Sequence, residues 1–592
     1  MKLLIGLRPD WGLCAKLTEN VETILFKEKF IDWPDTAQQS RIMEVKKDLN
    51  RYVPPVSELQ PCDAQKMLEE LPSEPDLVLE MSHLGRGVEY YDEEERRLLT
   101  ISTNDYKVWH VSEYGKVLME SDINCHLYAG DTYVVRWYYL VTATGRTLQG
   151  TPSKHNVTGR SRVAYFFWQG QGSSISDKGA SALMTVELDE ERGPHIRVSM
   201  GMEPPAFLNL FQGALIIHKG HHDSDSNKTS CKLYVVRGDM ENEGHLVEVD
   251  LNPMFLRSRG CLVLINTNTG SIHLWYGAKA LRHTRKVGNR VAHKLCQAPA
   301  SIMSWRAGIT VKMKEQYEGA ESREFWEDFG LSSSVESMKS KYFSLLEDEH
   351  SYDWTPRVWH LAATPDSFQA TEVISAYRVT TLPNPLPVLQ SDLYSVPQPA
   401  LFIIDGGHRL WVWQGWWPTD SSEGDEFSAT GSAVLRFNFA RRAALETALN
   451  YSKLKAKAQA KALAAKSYKK IEVEVDVVEP QLVVAGMEPV EFTNLFPMWT
   501  PRHDIATIQE LEGRWKQGGQ YLVSDILDQL SRTHYSLAEL TAQPLPDGAD
   551  PLHLEVYLSD TEFNDALGMT KDEFYSLQPW KQTEMKKKAN LF

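Results

Sequence analysis

Cysteine is scarce in this chain and shows no pairing pattern. Six residues (Cys14, Cys62, Cys125, Cys231, Cys261 and Cys296) are scattered over 592 positions without a C-x-x-C spacing. That excludes a disulfide framework or a zinc module and points to a reducing compartment. Long apolar runs are missing as well. Nothing approaches the ~20 residues that would span a bilayer, and the opening "MKLLIGLRPD" is too soon broken by Arg8, Pro9 and Asp10 to be a secretory leader. A basic excess is absent too: the formal net charge is -16, which argues against a nucleic-acid binder. No nucleophile motif, glycine-rich phosphate loop or paired-carboxylate pattern stands out, so the reading is of a non-enzyme. Hydrophobic content of 42% and charged content of 24% are ordinary for globular protein, and the length suits roughly three to five domains.

What is present is a repeat. "AYFFWQGQGSS", "SIHLWYGAKAL" and "HRLWVWQGWWP" each run through an aromatic and β-branched stretch to Trp168, Trp275 or Trp413. Each then closes on Gly170, Gly277 or Gly415, the pattern of a strand entering a tight turn. Both faces of these strands are largely apolar, so a central, doubly covered strand is predicted. A helical stretch follows each turn; in "HTRKVGNRVAHKLCQ", Val287, Val291 and Leu295 form one apolar stripe. Upstream, "KVWHVSEY", "KLYVVRGD" and "RVWHLAAT" are strand candidates, and downstream lie "EPPAFLNLF", "ESREFWEDFG" and "EPVEFTNLF". A further downstream copy, "ETILFKEKFIDW", has no body before it. Each module therefore buries a mixed sheet between two helical layers, an α+β arrangement.

The order strand, W-x-G turn, long helix and "EP..F...F" resembles the gelsolin-homology repeat of the gelsolin/villin family. The resemblance implies a remnant of one repeat at residues 1–35, a linker at 36–104, and full repeats of fourth, fifth and sixth type at 105–220, 230–335 and 350–502. Repeats of this family often hold Ca2+ between a glycine carbonyl, the next aspartate and an acidic helix residue, oxygen ligands suited to a hard cation. By position these are Gly130, Asp131 and Asp177 in the first full repeat; the alternative is an aspartate that caps a strand end. The second and third repeats carry Gly260 and Ala400 where the aspartate stands, so calcium-triggered opening of the whole array is not expected.

The final stretch behaves differently. Ser559 followed by Glu562, and Thr570 followed by Glu573, are capping-box spacings that open short helices. Phe563, Leu567 and Phe574 then face one small core, and Pro579 suits the first turn of a third helix. "GMTKDEFYSLQPWKQTEMKKKANLF" resembles the villin headpiece, placed at 518–592. The resemblance implies an actin-filament surface of Trp580, Lys581, Lys586, Lys587, Leu591 and Phe592, and a structural ion pair between Glu555 and Lys586. Strongly binding headpieces carry a lysine where this chain has Leu554. Loss of that charge should weaken filament binding, and Leu554→Lys should restore it.

Two other clusters carry metal-type or basic side chains. "HKGHHDSDSN" (His218, His221, His222, Asp223, Asp225) reads either as ligands or as a polar loop between modules, and the loop reading is favoured. Lys453, Lys455, Lys457, Lys461, Lys466, Lys469 and Lys470 read as the solvated end of a long helix, with contact to acidic phospholipid or actin as the alternative. The family resemblance implies an F-actin-binding cytoskeletal scaffold in the cytoplasm, at the inner face of the plasma membrane, with cytoskeletal and signalling proteins as partners. Its alternatives are an adaptor with little actin contact and a calcium-regulated capping or severing protein. No cofactor beyond one Ca2+ is implied, and neither nucleic acid nor a transmembrane segment.

Overall fold

The computed structural model describes residues 59–591, apart from 70–76, 80–81, 93–94, 147–151, 225–228, 299–304, 307, 332–341, 343, 364–367, 376–377, 380, 418–430, 467–474, 512, 514 and 543–544. The repeat remnant expected at 1–35 lies outside the described residues. What is described is an α+β protein of three large sheets closed by a small helical unit.

The strands of the first half are β1 (Glu89–Asp92), β2 (Arg97–Ser112), β3 (Gly115–Leu118), β4 (His126–Tyr128), β5 (Thr132–Arg146), β6 (Pro152–Gln169), β7 (His195–Ser199) and β8 (Leu215–His218). Then come β9 (Cys231–Arg237), β10 (His245–Val249), β11 (Cys261–Asn266), β12 (Ser271–Tyr276) and β13 (Lys312–Tyr317). The last set is β14 (Arg357–Ala363), β15 (Phe368–Val373), β16 (Leu401–Asp405), β17 (Leu410–Gln414), β18 (Gln481–Val484) and β19 (Tyr521–Leu522). The sheet orders are β1-β2-β5-β6-β7 with β3 on β2, β13-β12-β11-β9-β10-β8-β4, and β15-β14-β16-β17-β18-β19.

Helices cover these sheets: α1 (Ala64–Leu68), α2 (Ile175–Leu188), α3 (Pro205–Phe211), α4 (Arg282–Gln297), α5 (Arg323–Asp328), α6 (Gly431–Lys466) and α7 (Val523–Leu530). The helical unit contains α8 (Asp560–Leu567), α9 (Lys571–Tyr575) and α10 (Pro579–Lys588).

The duplication is physical. Each tryptophan-bearing strand pairs antiparallel with the strand before it and parallel with the strand after it: β6, β12 and β17 alike. Trp168, Trp275 and Trp413 are all fully buried. Their Nε1 groups donate to Glu203, Glu321 and Glu488 at 3.0, 3.0 and 2.9 Å, the glutamates that open the three downstream motifs. The turn glycines are equivalent too. Gly170, Gly277 and Gly415 donate their N–H to the carbonyls of Asp131, Gly260 and Ala400 at 3.0, 3.0 and 2.8 Å. A Cβ at Gly170 or Gly277 would come within 2.3 or 2.2 Å of a backbone carbonyl, so the close approach itself demands glycine. One hydrogen-bonded plan thus recurs three times.

Module edges differ from the sequence expectation. Residues 36–104 are not a plain linker where they are described. Ala64 and Met67 of α1 are buried in the core of the third sheet, and Cys62 donates its N–H to Thr447 on α6 at 2.9 Å. Leu77, Leu79, Leu84 and Leu99 belong to the first core. Proline- and glutamate-rich composition hid these few apolar anchors. The first repeat does not keep β4 and β8, which join the second sheet through parallel pairing (Leu127 with Ile217, Ile216 with Leu246). Likewise β19 and α7 add to the third sheet and its core, so the headpiece core starts after them, at Tyr535 rather than near 518.

The β4–β8 seam carries a buried imidazole pair. His126 Nδ1 and His218 Nε2 lie 2.9 Å apart, and His218 Nδ1 is 3.0 Å from Glu248. Burial lowers the His126 pKa to about 3, helped by His218 and Lys232. Burial also lowers that of His218, against the pull of Glu248. These rings refuse protons that the unfolded chain accepts below its ordinary histidine pKa of about 6.5. Stability should therefore fall as pH drops from about 6.5 toward 3. Urea midpoints measured across that range should decline, and the slope should flatten in His126→Leu.

Candidate functional site

Two surfaces and one expected ion site can be built from the residues upward. In the helical unit, Ser559 accepts the Glu562 N–H, and Thr570 with Glu573 closes a full capping box. These caps start α8 and α9 and turn Phe563 and Phe574 onto each other at 5.5 Å, edge to face, with neither exposed. Pro579 opens α10.

That packing sorts the expected actin-contact residues. Trp580 stands 67% exposed, and Lys581 and Lys587 are exposed beside it. Lys586 is instead buried. Its Nζ lies 2.8 Å from the Glu555 carboxylate and donates to the Leu552 carbonyl at 2.6 Å. Leu591 is fully buried in the same core, and Phe592 lies outside the described residues. The apolar end thus includes a residue that packs the last turn, leaving a surface of one aromatic ring with flanking lysines.

Leu554 corrects an expectation. It is only 3% exposed and packs within the headpiece core, so it is not a missing charge on an outer crown. Leu554→Lys should bury an amine with no apolar substitute in its place, lowering headpiece stability by about 2 kcal/mol or more instead of improving binding. Thermal unfolding of the variant, followed by the circular dichroism of the full chain, checks this.

A second surface was not foreseen. On α2, Ser181 and Thr185 are fully buried, while Ile175, Leu183 and Val186 are 90%, 70% and 63% exposed. The inversion has a cause. Gln169 at the end of β6 donates to Ser181 Oγ at 3.2 Å and to the Lys178 carbonyl at 3.0 Å, and Thr185 Oγ1 bonds the Ser181 carbonyl at 2.6 Å. This polar lock, beside Ala180, Met184 and Leu188 packed against Val111, Val134 and Tyr165, sets the inward face, and the helical period then turns Ile175, Gly179, Ala182, Leu183 and Val186 outward as one strip. β3 lies alongside, joined by the Lys116–Glu187 ion pair at 2.8 Å, and adds exposed Val117, with Tyr114 exposed in the turn before it. The signal was present as an apolar period opposite a Ser/Thr period. Without tertiary contacts it reads as a core face.

The expected Ca2+ residues are arranged otherwise. Asp131 Oδ1 lies 2.8 Å from His221 Nδ1, and Oδ2 accepts the His222 N–H at 2.8 Å and lies 3.4 Å from His110. Burial raises its pKa, but these hydrogen bonds outweigh it and hold the carboxyl below its usual value. Asp177 accepts the Glu113 N–H at 2.9 Å and the Ser174 hydroxyl at 2.6 Å, as a helix-start residue. Gly130 donates its N–H to the Gly220 carbonyl at 2.7 Å. Among the described residues no group of three or more His, Cys, Asp or Glu could hold a metal ion. In this arrangement an ion at Asp131 and Asp177 would share the carboxylates with His221, His222, Glu113 and Ser174. The same contacts show what the His-rich loop does: His218 backs the β4–β8 seam and His221 and His222 cap Asp131. Asp223 lies 2.9 Å from His222 Nδ1, and Asp225 is outside the described residues.

In the lysine run, Lys455 is drawn inward to Asp405 at 2.6 Å, and Lys453, Lys457 and Lys461 are exposed. No helix among the described residues is long and apolar enough to cross a membrane.

Comparison with known proteins agrees with this architecture. Residues 557–592 match the villin headpiece domain. The chain is 39% identical to bovine supervillin over 99% of its own length, which is 25% of that relative. It is 24% identical to villidin of Dictyostelium discoideum, covering 99% of this chain and 29% of the relative. Mouse advillin is 23% identical, with 84% and 53% covered. The chain therefore spans between a quarter and about half of the length of these relatives. Among solved structures, a chain of a Thorarchaeota 2DGel3/rabbit actin complex aligns with 38% of this chain at 21% identity and a TM-score of 0.14, too loose a superposition to bear on the fold.

Proposed function

The chain belongs to the gelsolin/villin family as a relative of supervillin, and from that premise we propose that it is an actin-filament-binding scaffold. The observation that carries the proposal is the outward apolar strip of α2, with Ile175, Leu183 and Val186 open to solvent on a rigid, well-anchored helix. Contiguous exposed apolar surface of this kind marks a protein-docking site. The ring of Trp580, Lys581 and Lys587 supplies a second contact, basic where an actin filament is acidic. Two contacts on one chain raise the effective concentration of each.

In this reading the chain holds filaments and carries no chemistry, so it is not an enzyme. It sits in the cytoskeleton at the inner face of the plasma membrane, where exposed Lys453, Lys457 and Lys461 would meet acidic phospholipid and other faces would meet signalling partners. Calcium-driven capping or severing is no part of it, because Asp131 is held by histidines. The rival reading is an adaptor with little actin contact. It draws on the small headpiece surface, from which Lys586 and Leu591 are withdrawn by packing inward. Co-sedimentation of the full chain with actin filaments over a salt series separates the two. Binding should weaken with salt as the lysine contact is screened, and a residual component should persist through the apolar strip. Failure to pellet even at low salt would overturn the scaffold in favour of the adaptor.

A further inference from the structure

A cavity of about 240 Å³ lies where the second sheet meets the segments 200–205, 384–389 and 494–498. Its wall is mostly apolar, with Met200, Leu208, Val235, Leu262, Leu389 and Phe496 among the lining side chains. Four arginines line it as well: Arg86, Arg237, Arg257 and Arg259.

The acids in the same wall are already engaged. Glu243 takes Arg86 through both carboxylate oxygens. Glu203 accepts from Trp168 Nε1 and from the Gly201 N–H. Asp239 lies 3.8 Å from Arg86. Arg257 has no such partner. It is 6% exposed, its Nη1 donates to the neutral Asn494 Oδ1, and its Nε has no hydrogen-bond acceptor among the described residues. Arg237 differs: it keeps a buried Nη1 without an acceptor among those residues, but the carboxylates of Glu203 and Asp239 act on its charge. Burial alone lowers the Arg257 pKa, to about 10, so it remains a cation at neutral pH with no carboxylate to offset it.

A buried guanidinium without a counter-charge is costly to a fold, and such groups are ordinarily paired. Here the uncompensated charge belongs to a residue, Arg257, that lines a cavity whose wall is mostly apolar. We propose that this cavity is a binding site for a small amphiphilic anion, whose carboxylate or phosphate head meets Arg257 and whose apolar body fills the apolar part of the cavity. The size sets the class. The volume is a little below the ~300–1,000 Å³ of sites that take drug-sized ligands, which suits a medium-chain acid or a monoalkyl phosphate and excludes a two-chain lipid. A guanidinium fork recognises either head by paired N–H donors. Occupancy would tie three parts of the chain together, because Asn494, Leu389 and Arg257 come from separate segments.

Titration calorimetry and thermal unfolding of the full chain test this with octanoate, octyl phosphate, 1-octanol and inorganic phosphate. Octanoate or octyl phosphate should bind with one site per chain and raise the unfolding midpoint by several degrees. Octanol and inorganic phosphate should each bind at least tenfold more weakly, since each lacks half of the recognised chemistry. Arg257→Met should lose the preference for octanoate over octanol, yet unfold at the same or a higher temperature without ligand, because the unmatched charge is gone. Met202→Trp, at the exposed mouth, should block both ligands with Arg257 intact, and serves if Arg257→Met does not fold. Equal binding of octanol and octanoate would overturn the proposal, as would tight binding of inorganic phosphate alone or no binding by either amphiphile.

Discussion

Lys586→Ala should unfold the end of the chain. Glu555 is 2% exposed, and the Lys586 ammonium at 2.8 Å is the charge that balances it. Removing one member of a buried pair leaves the other uncompensated and costs about 3–5 kcal/mol. The core around it is small, built on Phe563, Leu567, Phe574, Leu554 and Leu591, and cores of this size rarely supply more than ~3–5 kcal/mol. The substitution should therefore cancel most of the stability of the helical unit. Limited proteolysis of the full chain should show cleavage within 554–588 in the variant and protection in the parent. Glu555→Leu combined with Lys586→Met should recover much of the loss, since both charges then leave together. The consequence for function is direct. Lost filament sedimentation in Lys586→Ala would report unfolding, whereas the same loss in Lys581→Ala, an exposed lysine, would report a missing contact.

Leu183→Asp with Val186→Asp should remove the salt-resistant component of filament binding by at least tenfold, with no loss of fold. Both side chains are well exposed, at 70% and 63%, and surface substitutions of this kind usually alter stability by less than ~0.5 kcal/mol. At the centre of a docking surface the same change places two carboxylates against an apolar, acidic partner. Central apolar anchors are worth about 2 kcal/mol or more each when truncated. Co-sedimentation at raised salt is the measurement, with near-ultraviolet circular dichroism as the check on folding. Unchanged binding at every salt concentration would show that α2 faces something other than actin, and would leave filament contact to Trp580 and its lysines.

Much of the architecture is legible in the sequence. The three W-x-G turns, the apolar stripe Val287, Val291 and Leu295, and the inward Phe563, Leu567 and Phe574 are set by local spacing. A strand alternates and a helix repeats every 3.6 residues, so the buried set can be read along the chain. The same glycine contact and the same Trp-to-Glu hydrogen bond in all three sheets follow from that repetition. Boundaries were less legible. His126–Tyr128 is too short to announce itself as a strand, and the residues of β8 that pair with it come 90 positions later (Ile216 with His126). The α1 anchors Ala64 and Met67 sit in a stretch whose composition reads as linker.

The amino-acid order by itself determined the threefold plan, its doubly covered central strands and the capped helices of the final unit, because each rests on contacts between near neighbours. Only the tertiary structure decided which apolar residues stayed outside. Leu183 and Val186 face solvent because Gln169 and the packed Ala180, Met184 and Leu188 hold the other side of their helix, and Leu554 turns inward as part of the core that holds Phe563, Phe574 and Leu591. It also decided that histidines occupy Asp131 and that Arg257 is buried without a counter-ion. Those outcomes depend on groups brought together from distant segments, whose meeting no local period encodes.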